Sequence, residues 1–193
     1  YSKLFTDKIE NFNTSNLVKL NRKKNNKIRM GFLSSEILKK HSITYFLETI
    51  FKNYNKDKFE IYLYLDNPIE DTNTNEFKSL AKKSINVSNL EDIEAFNLIR
   101  GDSIDIMFDI TGVTSFNRVS LFKNRLAPKQ ISWLGYCNTS GLDNMDYLIA
   151  DKNLIYEDEK NSYSEKIIYL PNIWNCHSGL NSVRSPSVPP FLK

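Results

Sequence analysis

Short apolar runs alternate along the chain with stretches in which apolar residues recur at helical spacing. The runs predict strands at 28–33, 59–65, 84–87, 104–110, 130–134, 147–150 and 166–170. The stretches predict helices at 1–17, 43–51 (with Ser42 as its N-cap), 75–83, 90–100 and 115–126. Because strand and helix alternate and the central strands are continuously apolar, we predict a Rossmann-like α/β domain, a mostly parallel sheet with helices on both faces.

The loop after the fifth predicted strand combines small residues with hydrogen-bonding side chains. It begins at Gly135 and continues through Tyr136, Cys137, Asn138 and Thr139. Glycine permits close approach of the backbone, and the hydroxyl and amide groups offer donors and acceptors. This combination indicates a ligand-facing turn between two core strands.

Ligands of open α/β sheets bind beyond the carboxyl ends of the strands. Residues 34–42 follow the first predicted strand, and residues 111–117 follow the fourth. We therefore expect one edge of the sheet to bring together residues that are distant in sequence. These residues are His41, Thr111, Gly112, Leu134, Gly135 and Thr139.

Three side chains at this edge are candidates for chemistry. His41 precedes a helix, whose dipole favours a neutral imidazole that can accept a hydrogen bond or act as a base; the alternative is a surface or capping histidine. Asp109 ends its strand, and its alternative role is to cap the amides of Thr111 or Gly112. Cys137 could be a nucleophile, but no histidine is near it in sequence, so we expect a buried thiol.

Composition narrows the range of partners. The 26 basic residues nearly balance the 23 acidic ones, which leaves a net charge of +3, so we expect no nucleic acid partner. No apolar run reaches the roughly 18 residues of a membrane span, so we expect no membrane partner. The two cysteines suit a reducing compartment, with a single disulfide bridge as the alternative, and we expect a cytoplasmic protein.

Motifs for phosphate and metal binding are missing. The six glycines never fall at GxGxxG or P-loop spacing, which removes the main support for a dinucleotide or NTPase site. The histidines are His41 and His177, and no HExxH or CxxC pattern occurs. We therefore expect no metal and no cofactor.

The ends of the chain differ from its centre. Residues 1–26 contain the first predicted helix and a basic stretch that is typical of a solvated linker. From residue 176 to residue 193 the chain is rich in Ser, Pro and Asn, which also indicates a linker. Because the chain lacks an initiator Met and stops just after Pro189-Pro190, we expect a portion of a longer protein. The domain itself is predicted at 27–175.

Several blocks of the sequence resemble one enzyme family. Residues 133–151 (WLGYCNTSGLDNMDYLIAD) and 163–171 (YSEKIIYLP) are similar to the catalytic region of the O-linked N-acetylglucosamine transferase and SPINDLY family. Residues 27–50 (KIRMGFLSSEILKKHSITYFLETI) resemble its first strand, histidine loop and helix, and residues 104–136 resemble its middle segment. The resemblance runs from about Lys27 to Asn172.

The resemblance implies the N-terminal lobe of a two-lobed GT-B glycosyltransferase. Such an enzyme is inverting, needs no metal, and moves a sugar from a nucleotide sugar, here UDP-N-acetylglucosamine, to Ser or Thr of acceptor proteins. A tetratricopeptide region would precede residues 1–26, and residues 176–193 would lead to a C-terminal lobe of the same protein. Because that second lobe supplies most nucleotide-binding residues in the family, we expect this lobe alone to be inactive.

The resemblance also implies roles for individual residues. His41 matches the family histidine near the donor sugar and is the catalytic candidate. The implied substrate-binding residues are Thr111, Gly112, Leu134, Gly135, Tyr136, Cys137 and Thr139. The sequence departs from the family pattern at Tyr45, Asp105, Val113, Cys137 and Asn138.

Two classes of function remain open at this point. The first is the lobe of a protein glycosyltransferase, with transfer of fucose, or of glucose to Asn, as variants. The second is a degenerate lobe that binds a protein partner without catalysis. Val113, Cys137 and Asn138 favour the second, because they replace residues that the family commonly has in the site.

Overall fold

Seven strands form one sheet in the computed structural model, which describes residues 2–12, 26–37, 41–114 and 116–177. The strands are β1 (Ile28–Ser34), β2 (Phe59–Leu65), β3 (Lys83–Asn86), β4 (Ile106–Asp109), β5 (Lys129–Ser132), β6 (Tyr147–Ala150) and β7 (Lys166–Tyr169). The helices are α1 (Ser2–Thr6), α2 (Ser42–Asn53), α3 (Thr72–Leu80), α4 (Asp92–Gly101) and α5 (Val119–Lys123), with a 3-10 turn at Lys160–Ser162.

The strand order creates a switch point beside β1. The order is β3-β2-β1-β4-β5-β6-β7, and every neighbouring pair is parallel. The chain therefore moves outward from β1 in one direction through β3, then returns to the other side of β1 with β4. At such a reversal the connections leave in opposite directions and open a crevice at the carboxyl ends of the two strands.

Helices cover both faces of the sheet, as predicted. Leu63 and Tyr64 are neighbours in β2, and they enter opposite clusters because successive side chains of a strand point to opposite faces. The Leu63 cluster includes Leu47 of α2 and Phe77 of α3. The Tyr64 cluster includes Phe96 of α4 and residues of α5.

The predicted strands are all present, and the helices differ more from the prediction. Helix α3 begins earlier than expected because the Asp71 carboxylate accepts the Thr74 amide while the Thr74 hydroxyl accepts the Asp71 amide. The helix predicted at 115–126 is shortened to α5, where Arg125 has a φ of 62° just after the helix. The N-cap of α2 is His41 rather than Ser42, since the His41 ring accepts the Ile43 amide.

The helix predicted at 1–17 ends at Thr6, and its last predicted residues lie outside the described ones. Residues 7–12 nevertheless pack against the domain. Phe12 contacts the Phe96 ring edge-to-face, with 5.3 Å between centroids, and its amide donates to Asn124. Lys123 donates from its ammonium group to the carbonyls of Thr6 and Ile9. Ile9 and Phe12, which the periodicity assigned to a helix, therefore contact the core from an irregular segment.

Candidate functional site

The carboxyl ends of β1 and β4 meet at the switch point. Ser35 follows β1, and its amide donates to the Thr111 hydroxyl at 3.2 Å; the two hydroxyls lie 3.3 Å apart. Both residues are buried. The loops that were predicted to share this edge, one after β1 and one after β4, are therefore joined by direct hydrogen bonds.

The third loop, after β5, packs against the same turn. Gly112 has a φ of +66°, and a β-carbon there would overlap the Cβ of Tyr136. A β-carbon at Gly135 would overlap the carbonyl oxygen of Ile110 and lie 3.2 Å from Ile43 of α2. Two backbone segments thus approach as closely as glycine allows. The structure brings Thr111, Gly112 and Gly135 together at the edge where the sequence predicted them, and Tyr136 packs on Gly112.

Leu134 turns the chain between β5 and this loop. Its φ is 86°, in the left-handed region that a bulky residue rarely adopts, and its side chain is buried. The predicted strand to 134 ends at Ser132 because such a residue cannot continue a strand. Backbone strain of this kind concentrates at functional sites.

Asp109 stabilises the turn from below. Its Oδ1 accepts the amides of Thr111 at 3.0 Å and Gly112 at 2.9 Å, which is the capping role weighed from the sequence. Its Oδ2 is buried and has no hydrogen-bond partner among the described residues. Burial raises the pKa of the Asp109 carboxyl to about 6, the two amides oppose the rise, and the charge of Glu36 adds to it.

Glu36 and His41 form a second pair of titratable groups at this edge. The Glu36 Oε1 lies 3.7 Å from His41 Nε2, and burial raises the pKa of Glu36 while His41 opposes the rise. His41 Nδ1 accepts the Ile43 amide at 3.4 Å, so the proton of the neutral ring resides on Nε2. The His41 side chain is 38% exposed, which leaves it accessible to a ligand above the crevice.

Thr139 occupies a different place from the one expected. Its hydroxyl lies 2.7 Å from the Glu165 carboxylate and 2.9 Å from the Ser164 hydroxyl, and it accepts the Gly141 amide at 3.1 Å. Ser164 and Glu165 precede β7, at the amino-terminal edge of the parallel sheet. The structure therefore links Thr139 to β7 and not to the carboxyl-edge residues that it was expected to join.

The expectation of a buried Cys137 thiol is wrong. Cys137 is an exposed free thiol, and its neighbour Asn138 is also exposed. The loop leaves the domain surface between Tyr136, which packs on Gly112, and Thr139, which is bonded to Glu165. The pattern of apolar residues did not predict that Cys137 and Asn138 lie at the surface.

Sequence reasoning did not select Ser35, Glu36 or Glu165 as site residues. Ser35 and Glu36 lie in the segment after β1 that was expected at this edge, so position alone could have found them. Glu165 carried no such signal, because its role depends on a contact across 25 residues. Within the described ranges, no group of three or more His, Cys, Asp or Glu side chains is arranged to hold a metal ion. No helix of those ranges is long and apolar enough to cross a membrane.

The fold and the crevice define a Rossmann-like lobe that presents close-packed turns at a switch point. The family model of glycosyl transferase family 41 matches residues 1–179, and the chain belongs to that family. This finding agrees with the resemblance described from the sequence blocks.

Several curated relatives are plant proteins. The chain is 29% identical over 153 residues to the probable UDP-N-acetylglucosamine–peptide N-acetylglucosaminyltransferase SPINDLY of Solanum lycopersicum, which covers 77% of this chain and 16% of the relative. It is 31% identical over 142 residues to SPINDLY of Eustoma exaltatum subsp. russellianum, covering 72% and 16%. It is 26% identical over 149 residues to SEC of Arabidopsis thaliana, covering 77% and 15%. The chain thus spans a small part of these relatives.

A solved structure shares the fold. The chain superposes on a mutant of the Thermobaculum terrenum O-GlcNAc transferase with a TM-score of 0.74 and 32% identity. The match covers 77% of this chain and 28% of that chain. The parallel sheet with helices on both faces is accordingly that of a lobe of a GT-B glycosyltransferase of the O-GlcNAc transferase type.

Proposed function

We propose that this chain is the N-terminal catalytic lobe of an inverting, metal-independent protein glycosyltransferase. The donor is UDP-N-acetylglucosamine, and the acceptors are Ser or Thr hydroxyls of proteins. Membership of glycosyl transferase family 41 and the activity for which the SPINDLY and SEC relatives are named support this proposal. The observation that carries it is the close approach of the Gly112 turn and the Gly135–Tyr136 loop at the switch point, where α/β sheets bind ligands.

The charges at the crevice favour the sugar and acceptor side of the reaction. Glu36 and Asp109 are carboxyl groups beside the turn, and ionised carboxylates repel a diphosphate. Stabilisation of the leaving diphosphate is therefore assigned to cations and backbone amides of a C-terminal lobe of the same protein. The present lobe supplies polar groups that orient sugar hydroxyls and the incoming acceptor.

His41 has the central role in this lobe. It lies where the loop after β1 meets α2, and its Nε2 carries the proton that a sugar or acceptor oxygen can accept. We assign it to positioning donor and acceptor, not to an indispensable base. The proposed sugar wall consists of Thr111, Gly112, Leu134, Gly135, Tyr136 and Cys137, whereas Thr139, which the sequence grouped with them, is bonded to Glu165 behind the wall.

The remaining organisation is also proposed. Residues 27–175 form the lobe, residues 1–26 lead from a tetratricopeptide region, and residues 176–193 lead to the C-terminal lobe. The isolated lobe is then inactive. The free thiols of Cys137 and Cys176 favour a cytoplasmic location.

The test is a mass measurement of acceptor peptides incubated with the full-length protein and a panel of nucleotide sugars. The expected result is addition of one N-acetylhexosamine to Ser or Thr with the UDP donor, unaffected by a chelator. A mass increase with a GDP-fucose donor instead assigns a different sugar to the same site. No transfer from any donor rejects the enzyme and leaves the lobe as a protein-binding module.

A further inference from the structure

The crossover from β5 to β6 has an unusual construction. Parallel neighbours are normally joined through a helix, but residues 133–146, which are described throughout, contain none. A loop of this length without its own secondary structure needs side chains to fix its shape, and such loops are commonly functional. Its first residues form the proposed sugar wall, so whatever fixes the loop also fixes that wall.

One buried carboxylate holds the middle of this crossover. Glu165 is 2% exposed. Its Oε1 accepts the Ser140 amide at 2.7 Å and the Ser140 hydroxyl. Its Oε2 accepts the Thr139 hydroxyl at 2.7 Å and the Ser164 hydroxyl at 3.2 Å. All these donors are neutral, so the carboxylate replaces its lost hydration with hydrogen bonds from the loop itself.

The Thr139 hydroxyl extends this network into the backbone. It accepts the amides of Gly141 at 3.1 Å and Ser164 at 3.2 Å. Glu165 therefore organises a turn of three successive loop residues and ties it to the start of β7. Removal of the carboxylate would leave the buried amide and hydroxyl of Ser140 without their acceptor, which favours rearrangement of the turn.

The anchored turn lies close in sequence to the sugar wall. Tyr136 packs on the Gly112 turn, and only the exposed pair Cys137 and Asn138 separates it from Thr139. The wall is thus held from two sides, by the glycine contacts at the carboxyl edge and by Glu165 at the amino edge. A shift of the second anchor reaches Tyr136 through a span of two residues.

From this geometry we propose that Glu165 is a positioning residue for the nucleotide sugar, acting through the 135–141 loop without contacting the substrate. The proposal rests on the proposed function of the Gly135–Tyr136 wall. Glu165 sets the pose of the donor sugar through Tyr136, whereas the loops after β1 and β4 are held to each other by the bond between Ser35 and Thr111.

The experiment compares variants of the full-length protein in steady-state transfer. Misplacing a positioned group by about 1 Å can reduce the rate by roughly 100-fold, so Glu165→Ala is expected to lower kcat/KM for the donor by about 10- to 100-fold. The acceptor KM stays unchanged. Glu165→Gln keeps an oxygen acceptor for Ser140 and offers Thr139 an amide donor, so it is expected to retain kcat/KM within about threefold of wild type. Glu157→Gln, on the exposed surface of the same segment, is the matched control.

The outcomes separate this proposal from the proposed function. An active wild type whose Glu165→Ala variant retains donor kcat/KM overturns the positioning role, as does a loss that only follows the folded fraction. If Glu165→Ala fails to fold, Thr139→Val removes the bond to Oε2 together with the bonds that the same hydroxyl accepts from the Gly141 and Ser164 amides, and an unchanged donor kcat/KM then overturns the positioning role. If the wild type transfers no sugar, the proposed function fails. Hydrogen exchange at the amides of Ser140 and Gly141 then tests whether Glu165 holds the loop in place. Faster exchange in Glu165→Ala supports that role, and unchanged exchange rejects it.

Discussion

Individual residues at the switch point have the capping roles that the sequence suggested as alternatives to chemistry. Asp109 was weighed as either a functional carboxylate or a cap, and the structure shows the cap together with an unpaired, buried oxygen. His41 was weighed as either a functional or a capping histidine; the structure shows the cap and leaves Nε2 facing Glu36. The sequence could identify Asp109 and His41 and their capping alternatives. It could not predict the buried Oδ2 of Asp109 or the contact between His41 and Glu36, because both depend on the tertiary structure.

The buried Asp109 carboxyl makes stability depend on pH. Its pKa is raised from 3.8 to about 6, so the folded state binds the proton more tightly than the unfolded state, and the group reduces stability as pH rises from about 4 to 6. Asp109→Asn removes this dependence. The free-energy advantage of wild type over the variant should therefore fall by about 2–3 kcal/mol between pH 4 and pH 7. Denaturant unfolding at several pH values measures it, with exposed Asp57→Asn as the control. A constant difference across that range would contradict the raised pKa.

Gly112 tests the close approach of the two loops. Gly112→Ala places a methyl group where the Cβ of Tyr136 lies and strains a φ of +66°, so we expect a loss of about 1–3 kcal/mol in unfolding free energy. Gly101→Ala at the end of α4 has nothing within 4 Å and should be neutral or slightly stabilising. Thermal unfolding of the pair measures the contrast. Equal melting temperatures would show that the loops are not closely packed.

At the scale of elements, sequence periodicity predicted strands better than helices. Strands β2 and β6 coincide with the prediction because each is an apolar run bounded by polar residues. The first and fifth helices are shorter than predicted because apolar residues at helical spacing contact the core from irregular chain. Ile9 and Phe12, for example, pack beside α4 and α5 without being helical. Such contacts follow from the tertiary position of the segment, which local periodicity does not contain.

The N-terminal segment is expected to contribute to the stability of the lobe. Phe12 packs against Phe96 and bonds to Asn124, so Phe12→Ala should reduce the unfolding free energy by about 1–3 kcal/mol. Phe116, 85% exposed, provides the matched control, and Phe116→Ala should leave stability within about 0.5 kcal/mol. Denaturant unfolding gives both values. Equal stability of the two variants would show that the segment does not hold to the domain in solution.

At the scale of the whole molecule, the strand order explains why distant sequence blocks form one site. The return from β3 to β4 places the loops after β1, β4 and β5 side by side, and the sequence predicted their shared edge from strand alternation alone. The path of the crossover to β6 could not be predicted, because it depends on a contact between Ser140 and Glu165, which lie 25 residues apart. Under the proposed function, this lobe supplies one wall of a sugar site, and the carboxyl groups of Glu36 and Asp109 favour a partner lobe for the diphosphate.

The assignment of the sugar site to this edge is tested most directly at His41. The measurement is the rate of sugar transfer by full-length protein carrying His41→Ala or His41→Asn, the second of which retains a side chain able to cap α2. Loss of a positioning group can misplace the reactants by about 1 Å and reduce the rate by roughly 100-fold, so both variants should lose about 100-fold while His41→Asn keeps the wild-type melting temperature. An unchanged transfer rate in either variant would contradict a sugar site at the carboxyl edge of β1, β4 and β5.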